Sequence, residues 1–202
     1  MVNESYPRRA SDPIAAEQII EQIANWFNAR GDRMYGEAVT ERSHALQCAE
    51  AAQKRGGSKP LIIACLLHDI GHLMHDRGEH IAEQGVDMRH EVIAEKYLRK
   101  SFPESVSRPV GLHVDAKRFL CTVESKYFDG LSYASKLSLE LQGGLMTEEE
   151  CSAFMAEPFC NDAILVRRCD EEAKQTDTAP PALETYFPIM RDVIVEAGGQ
   201  PV

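Results

Sequence analysis

The chain lacks several features, and each absence excludes a class of protein. Its 202 residues contain no apolar run of about 18 residues, so no membrane span is expected. The polar start, residues 1–11, lacks the apolar core of a signal peptide. With 22 basic against 32 acidic residues and a net charge of −10, no basic face for a nucleic-acid backbone is expected. Six scattered cysteines without a CxxC pair predict reduced thiols and a cytoplasmic protein.

Helical periodicity is what the chain does have. Apolar residues recur at three-to-four spacing from Asp12 to Gly31, and no window alternates as a strand would. The sequence predicts an all-α fold: one helical domain over residues 12–197, with tails at 1–11 and 198–202. Further helices are predicted over residues 43–55, 60–73, 90–100, 132–141, 162–174 and 181–197, with a short one after the Thr147-x-x-Glu150 capping box.

Three segments stand out from this pattern. Residues 60–73, PLIIACLLHDIGHL, are apolar on nearly every side and predict a buried central helix. Residues 78–89 are polar with two glycines and predict a long loop, which is a candidate lid. Pro103, Pro109 and Gly111 predict that the chain around them forms several short helices.

His68 and Asp69 lie at the end of this central helix. A buried carboxylate without a partner costs several kcal/mol, so Asp69 needs a metal ion, a cation or a dense set of hydrogen bonds. Neighbouring residues on a helix point about 100° apart, so both can reach one ion only where the helix ends. Alone the dipeptide is a weak signal, because most His-Asp pairs are structural or solvated.

Other histidines and one aspartate strengthen the prediction of a metal site at His68 and Asp69. His44 lies on the preceding helix, His90 opens the following one, His113 comes later, and Asp170 lies within an apolar-periodic helix. Imidazole and carboxylate ligands aimed inward from several helices are how helical proteins build two-metal sites. By contrast, lone histidines such as His75 and His80 are more often surface or loop residues.

The histidines and aspartates follow the order H…HD…H…H…D. The segments that contain or follow them read GEAVTERSHALQCA, LLHDIGHL, RHEVIAEKYL, LHVDAKRFL, LSLELQGGLM and VRRCDEEAK. With these motifs, from about Tyr35 to Lys174, the chain resembles the small HD-domain mixed-valent diiron oxygenases that cleave carbon–phosphorus bonds. The order is typical of the HD-domain superfamily, and the two additional histidines mark its dinuclear members.

The resemblance implies a metal centre and a reaction. One iron would be held by His44, His68 and Asp170 and the other by His90 and His113, with Asp69 as the bridge. The pair would be Fe2+/Fe3+, with O2 as co-substrate. The substrate would be a 1-hydroxy-2-aminoethylphosphonate with a free or trimethylated amine, and the products phosphate and glycine or glycine betaine.

The resemblance also implies the substrate contacts. Lys117 and Arg167 share helix faces with His113 and Asp170, and would bind the phosphonate dianion. Without the family, each would more often be a solvated surface charge. His72, four residues after His68, would donate a hydrogen bond to the substrate. Alternatively, His72 binds a metal ion itself or hydrogen-bonds to a residue that does. Ser135 and Ser138 match hydroxyls near the phosphonate, or else are a helix cap and a packed small residue.

Glu37 and Tyr35 match the family's lid loop. Glu37 would meet the ammonium group, and Tyr35 would occupy the iron site before substrate enters. The family's loop commonly reads Tyr-Gly-Gly-Glu, whereas this chain has Tyr35-Gly36-Glu37, one glycine fewer. An exposed turn tyrosine is therefore an equal alternative for Tyr35.

Two other functions remain open from the sequence. An HD-domain phosphohydrolase acting on a nucleotide or phosphate monoester could use a metal-bound hydroxide at the same ligands. A metal-stabilised scaffold is disfavoured by the additional histidines and by Lys117 and Arg167. Imidazole and carboxylate ligands accept Mn, Fe, Co or Zn alike, and the oligomeric state is undetermined. Candidate aromatic residues for a trimethylammonium group are Tyr35, Tyr127, Phe128, Tyr133 and Phe159.

Overall fold

A computed structural model describes residues 13–35, 39–75 and 88–198. The predicted lid lies almost wholly outside these ranges, as do the two predicted tails apart from Gly198. Within the described ranges the chain is helical, which confirms the all-α prediction. The α-helices are α1 Pro13–Arg30, α2 Glu41–Lys54, α3 Lys59–Leu67, α4 Ile70–Leu73, α5 His90–Leu98, α6 Glu104–Val123, α7 Ser125–Gly130, α8 Tyr133–Leu141, α9 Glu148–Ala156, α10 Cys160–Glu172 and α11 Phe187–Gly198.

A small hairpin precedes α2. Strand β1, Met34–Tyr35, pairs antiparallel with β2, Val39–Thr40. Strands of two residues are too short to show an alternating pattern, which is why the sequence did not indicate them. Thr40 then caps α2, its side chain accepting a hydrogen bond from the Ser43 N–H at 3.1 Å.

The predicted central helix over residues 60–73 is interrupted. Ser58 caps α3, whose residues from Leu61 to Leu67 are all buried. The helix stops after Leu67, and Asp69, with φ −102° and ψ 13°, precedes the four residues of α4 without capping them. The single-helix prediction was wrong here because uniform apolarity carries no signal for an interior break. The break frees the Asp69 carboxylate for other partners.

The prediction of several short helices around Pro109 was also wrong. Helix α6 runs unbroken over 20 residues with Pro109 inside it. Pro103 stands at its N-terminal cap, where a missing N–H costs nothing. Pro109 removes one intrahelical hydrogen bond, and the burial of eleven α6 side chains offsets that loss. Gly111 is where α5 packs closely, since a Cβ there would lie 2.2 Å from Glu95 Oε2.

Four helices form the centre of the molecule. Helix α3 packs on α2, α6 and α10, and α10 also packs on α2 and α6, while α11 covers α3 and α1 packs on α11 and α4. The central core contains Ile63, Leu66 and Leu67 of α3, all at most 1% exposed. The Thr147 capping box is present at the start of α9, as predicted. No helix of the described ranges combines the length and apolarity needed to cross a membrane.

A candidate dinuclear metal centre

Six donor residues meet where the central helices converge. Each of them is buried, with at most 8% of its surface exposed. They come from α2, the break after α3, the start of α5, the middle of α6, and α10. The six are His44, His68, Asp69, His90, His113 and Asp170.

Asp69 stands between two groups of histidines. Its Oδ1 lies 3.2 Å from His90 Nε2 and 3.5 Å from His113 Nε2. Its Oδ2 lies 3.3 Å from His68 Nε2 and 3.8 Å from His44 Nε2. Each carboxylate oxygen therefore faces one pair of imidazoles, which is the arrangement of a bridging ligand.

The first half-site consists of His44, His68 and Asp170. The Nε2 atoms of His44 and His68 are 3.1 Å apart. Asp170 Oδ1 lies 3.3 Å from His44 Nε2, and Oδ2 lies 3.8 Å from His68 Nε2. The second half-site consists of His90 and His113, whose Nε2 atoms are also 3.1 Å apart.

Backbone carbonyls fix the tautomers of three histidines. In each ring Nδ1 lies within hydrogen-bond distance of a carbonyl oxygen, so Nδ1 carries the proton and donates it. The Nε2 atom is then left with a lone pair aimed at the centre, as in metal-binding imidazoles. The pairs are His44 with Ala173 at 2.9 Å, His68 with Cys65 at 2.8 Å and His113 with Val110 at 2.7 Å.

This donor set fits two cations. The Nε2 atoms of His44 and His68 are both acceptors and lie 3.1 Å apart, so they repel one another unless a positive charge lies beside them. Among the described residues, Asp170 Oδ1 is buried without a hydrogen-bond donor, and the His44 Nε2 atom that it faces at 3.3 Å carries a lone pair and no proton. Donor atoms of His44, His68 and Asp69 lie within 4.8 Å of one another, as metal coordination requires.

The two acidic ligands remain ionised. Burial alone would raise the pKa of Asp69, but His68, His113 and His90 hold it well below its ordinary value. Burial acts the same way on Asp170, and the Arg167 guanidinium together with His44 lowers its pKa in turn. The centre therefore presents two buried carboxylates, which favour bound cations over a neutral ligand.

His72 lies beside the second half-site. Its ring stacks on that of His90, with centroids 4.2 Å apart, and a donor atom of His72 lies within 4.8 Å of atoms of Asp69 and His90. Its Nδ1 is buried and has no hydrogen-bond partner among the residues that the structure describes. Burial and the neighbouring His90 hold its pKa well below the ordinary value, so the ring is neutral. Position alone allows either a fourth ligand or a substrate contact.

Close packing of α4 on α5 sets the position of His90. A Cβ on Gly71 would lie 2.2 Å from the carbonyl oxygen of His90, so only glycine allows this approach. His90 is the first residue of α5, directly after Arg89, which has a left-handed backbone with φ 48°. The second half-site thus depends on a helix start and on one glycine.

The predicted phosphonate-binding residues lie next to the centre. Lys117 is 5% exposed and donates to Ser138 Oγ at 2.9 Å. Burial and the nearby Arg167 lower its pKa to about 7. A buried ammonium group of this kind favours an anion that restores its charge.

Arg167 is held on three sides. Its Nε donates to the Tyr127 hydroxyl at 2.7 Å, one NH2 group donates to Asp170 Oδ2, and the other donates to Glu171 Oε2 at 2.6 Å. Sequence reasoning missed Glu171, although its spacing of four from Arg167 is that of a helix ion pair. It also missed Lys174, which donates to Ser135 Oγ at 3.2 Å.

The structure describes the two predicted lid residues, Glu37 and Tyr35, only in part. Glu37 lies outside the described residues, and of Tyr35 only the strand backbone is described. Among the candidate aromatic residues, Tyr127 is engaged with Arg167, whereas Tyr133 is 74% exposed. The roles of Glu37 and Tyr35 therefore stay predictions from sequence.

Three buried cysteines lie behind the first half-site. Cys48, Cys65 and Cys169 are each at most 1% exposed. Burial raises the pKa of Cys48 to about 11 and that of Cys65 well above its ordinary value. These thiols stay protonated at neutral pH, so imidazoles and carboxylates are the donors that the centre offers.

Comparison with known proteins agrees with this geometry. The HD domain family matches residues 42–173, a span that contains all six donors. The chain is 43% identical over 172 residues to hydroxymethylphosphonate dioxygenase of Gimesia maris, covering 82% of this chain and 85% of the relative. It is 38% identical over 177 residues to [1-hydroxy-2-(trimethylamino)ethyl]phosphonate dioxygenase (glycine-betaine-forming) of Leisingera caerulea, covering 87% and 90%. The chain therefore belongs to the HD-domain family and, within it, to the group of these phosphonate dioxygenases.

A further relative carries no assigned activity. An uncharacterised protein of Acanthamoeba polyphaga mimivirus is 33% identical over 187 residues, which cover 90% of this chain and 85% of the relative. It extends the group without adding to the chemistry.

Proposed function

We propose that the chain is an O2-dependent dioxygenase that cleaves the carbon–phosphorus bond of a phosphonate bearing a hydroxyl on the adjacent carbon, in organophosphonate catabolism. The observation that carries the proposal is the Asp69 carboxylate, with each oxygen facing a separate pair of imidazole nitrogens. Such a ligand set is suited to two metal ions side by side, and the two named relatives are both phosphonate dioxygenases.

The proposed cofactor is a pair of iron ions in the mixed-valent Fe2+/Fe3+ state. The first half-site would hold one ion and the second half-site the other, with Asp69 between them. Nitrogen and oxygen donors accept several divalent metals, so the choice of iron rests on the named dioxygenase relatives. When bound, the iron pair would supply redox chemistry with O2 and a Lewis acid for the substrate's oxygens.

The chain's own residues bind and orient the substrate in this proposal. Lys117 and Arg167 would bind the phosphonate dianion, with Ser135 and Ser138 donating to its remaining oxygens. Neutral His72 would hold a hydrogen bond to the substrate beside the second half-site. Burial of these groups would exclude water and strengthen each electrostatic contact.

Two substrate subclasses follow from the sequence and from the relatives. The match of Tyr35 and Glu37 to the family's lid loop favours a 1-hydroxy-2-aminoethylphosphonate with a free or N-trimethyl amine. The positively charged amine of this substrate would contact Glu37. The relative at 43% identity is named for hydroxymethylphosphonate, which has no amine. In each case one O2 per substrate balances the formation of phosphate and a carboxylic acid: glycine, glycine betaine or formate.

The direct test is incubation of the iron-loaded protein with all three phosphonates. We expect phosphate release that consumes one O2 per phosphate and stops under nitrogen. Equal release under nitrogen would contradict the proposal and indicate the alternative phosphohydrolase instead. A mixed-valent electron paramagnetic resonance signal that shifts on substrate addition would support the iron pair.

Glu37→Gln separates the substrate subclasses. If Glu37 meets an ammonium group, this variant raises KM for the amine-bearing substrates and leaves hydroxymethylphosphonate turnover unchanged. An equal change for all three substrates would exclude a contact between Glu37 and the amine.

A further inference from the structure

Two hydroxyl–ammonium pairs lie side by side along α8. Ser138 Oγ accepts a hydrogen bond from Lys117 Nζ at 2.9 Å, and Ser135 Oγ accepts one from Lys174 Nζ at 3.2 Å. The serines are three residues apart, so both stand on one helix face. The second pair repeats the first with a cation from a different part of the chain.

The backbone around Lys174 is anchored on both sides by α2. Before it, the Ala173 carbonyl accepts a hydrogen bond from His44 Nδ1 at 2.9 Å. After it, Gln175 donates its N–H to Gln47 Oε1 at 3.0 Å, and its carbonyl accepts from Gln47 Nε2 at 2.9 Å. These hydrogen bonds fix the backbone at Lys174 relative to α2, the helix that carries His44 of the first half-site.

Glu171 links Lys174 to Arg167. Its Oε2 accepts from Arg167 at 2.6 Å and its Oε1 accepts from Lys174 Nζ at 3.0 Å. The Glu171 carboxylate lies between the two cations and holds the Lys174 ammonium group where it also reaches Ser135 Oγ. An ammonium group has three N–H donors, and Glu171 and Ser135 use two of them.

The Lys174 side chain is 21% exposed, so its head is neither fully solvated nor sealed away. Lys117, by comparison, is 5% exposed. A phosphonate dianion has three oxygens that can each accept charged hydrogen bonds, so it can bind a third cation besides Lys117 and Arg167. Lys174 reaches Ser135 on the α8 face where Lys117 reaches Ser138, and Glu171 joins Lys174 to Arg167.

We propose that Lys174 is a third substrate-binding cation of the phosphonate pocket and that Glu171 is its positioning residue. The proposal rests on the proposed function for the identity of the pocket. The ligand chemistry is a phosphonate or phosphate group.

The test measures binding of methylphosphonate to the metal-loaded protein by calorimetry. Methylphosphonate lacks the hydroxyl that the reaction needs, so binding is read without turnover. Lys174→Met should weaken binding roughly tenfold, the loss expected for one charged hydrogen bond, while Lys174→Arg should stay within about threefold. In steady-state assays of phosphate release, Lys174→Met should raise KM and leave kcat nearly unchanged.

Lys136→Met is the matched control. Lys136 follows Ser135 directly on α8, but its Nζ donates to the Asp129 carbonyl at 3.2 Å and lies outside the serine pairs. The Lys136→Met variant removes the same charge as Lys174→Met, and its affinity for methylphosphonate should equal that of the wild type. A positioning role for Glu171 has its own readout: Glu171→Ala should weaken binding, and adding Lys174→Met to it should cost little more.

Unchanged methylphosphonate affinity in Lys174→Met would overturn the proposal, as would an equal loss in Lys136→Met. Lys174→Gln replaces Lys174→Met if the latter loses metal or thermal stability. If the wild type cleaves none of the three phosphonates while methylphosphonate binding still depends on Lys174, the proposed function fails and the cation assignment stands.

Discussion

The first half-site takes His44, His68 and Asp170 from the packed centre of the helices, whereas the second takes His90 from the first residue of a helix. In the first, both imidazoles donate Nδ1–H to backbone carbonyls and the carboxylate is held by a buried arginine. His90 instead follows Arg89, whose backbone is left-handed.

This difference has a chemical meaning. The first half-site contributes three protein donors besides Asp69, and the second contributes two, His90 and His113. A metal with fewer protein ligands has more positions for ligands from outside the chain, as in catalytic sites generally. If two ions bind as proposed, the first half-site would hold its ion with more protein donors than the second, where His72 lies beside His90.

Removal of one ligand from each half-site should have the largest effect. His113→Ala should retain about one metal ion per chain, because the first half-site is complete without it, and phosphate release should fall below detection. His44→Ala should lose the metal of the first half-site. Metal analysis of the purified variants measures both, and loss of both ions from His113→Ala would show that the half-sites are not separable.

Gly71→Ala should perturb the second half-site selectively. The added methyl group would meet the His90 carbonyl, so overpacking should cost about 1–3 kcal/mol of unfolding free energy and weaken the second metal. Thermal unfolding and metal titration measure the two effects. Gly130→Ala is the control, since a Cβ there has nothing within 4 Å and the backbone has no positive φ. Equal metal affinity in both variants would contradict the role given to Gly71.

The smallest effect expected is a pH dependence from Lys117. Burial and Arg167 lower its pKa from 10.5 to about 7, so the group is charged below that pH and neutral above it. Bound metal cations would add to the lowering, while the carboxylates of Asp170 and Asp69 oppose it.

Phosphonate affinity should therefore fall as the pH rises through 7, by at most about tenfold per pH unit. Lys117→Arg keeps its charge throughout and should remove this decline in profiles of KM against pH. Identical profiles for the two proteins would show that Lys117 does not cause the decline.

The six donors could be predicted from sequence because imidazoles and carboxylates within apolar helices have few structural uses. The break between α3 and α4 could not, because Leu67, His68 and Ile70 are all buried and give no periodic signal. The sequence also did not predict that α6 continues through Pro109. Burial along the 20 residues of α6 outweighs one lost hydrogen bond, and local helix propensity does not report burial.

Charged residues around the pocket were the hardest to predict. Glu171 and Lys174 lie in the acidic stretch CDEEAK, which looks like a solvated helix end. The contact behind their proposed role forms only when α8 brings Ser135 to Lys174 across 39 residues of sequence. Tyr127 is a candidate for an amine contact, and the structure shows in addition that its hydroxyl accepts a hydrogen bond from Arg167.

The central claim is that Asp69 joins two metal positions, and metal content per chain of Asp69→Ala tests it most directly. The comparison is with wild type and with Asp115→Ala, which removes a half-exposed carboxylate of α6 that pairs with Arg118. The account expects about two ions per chain in wild type and in Asp115→Ala, and loss of both ions together in Asp69→Ala. Retention of two ions by a folded Asp69→Ala protein would contradict it.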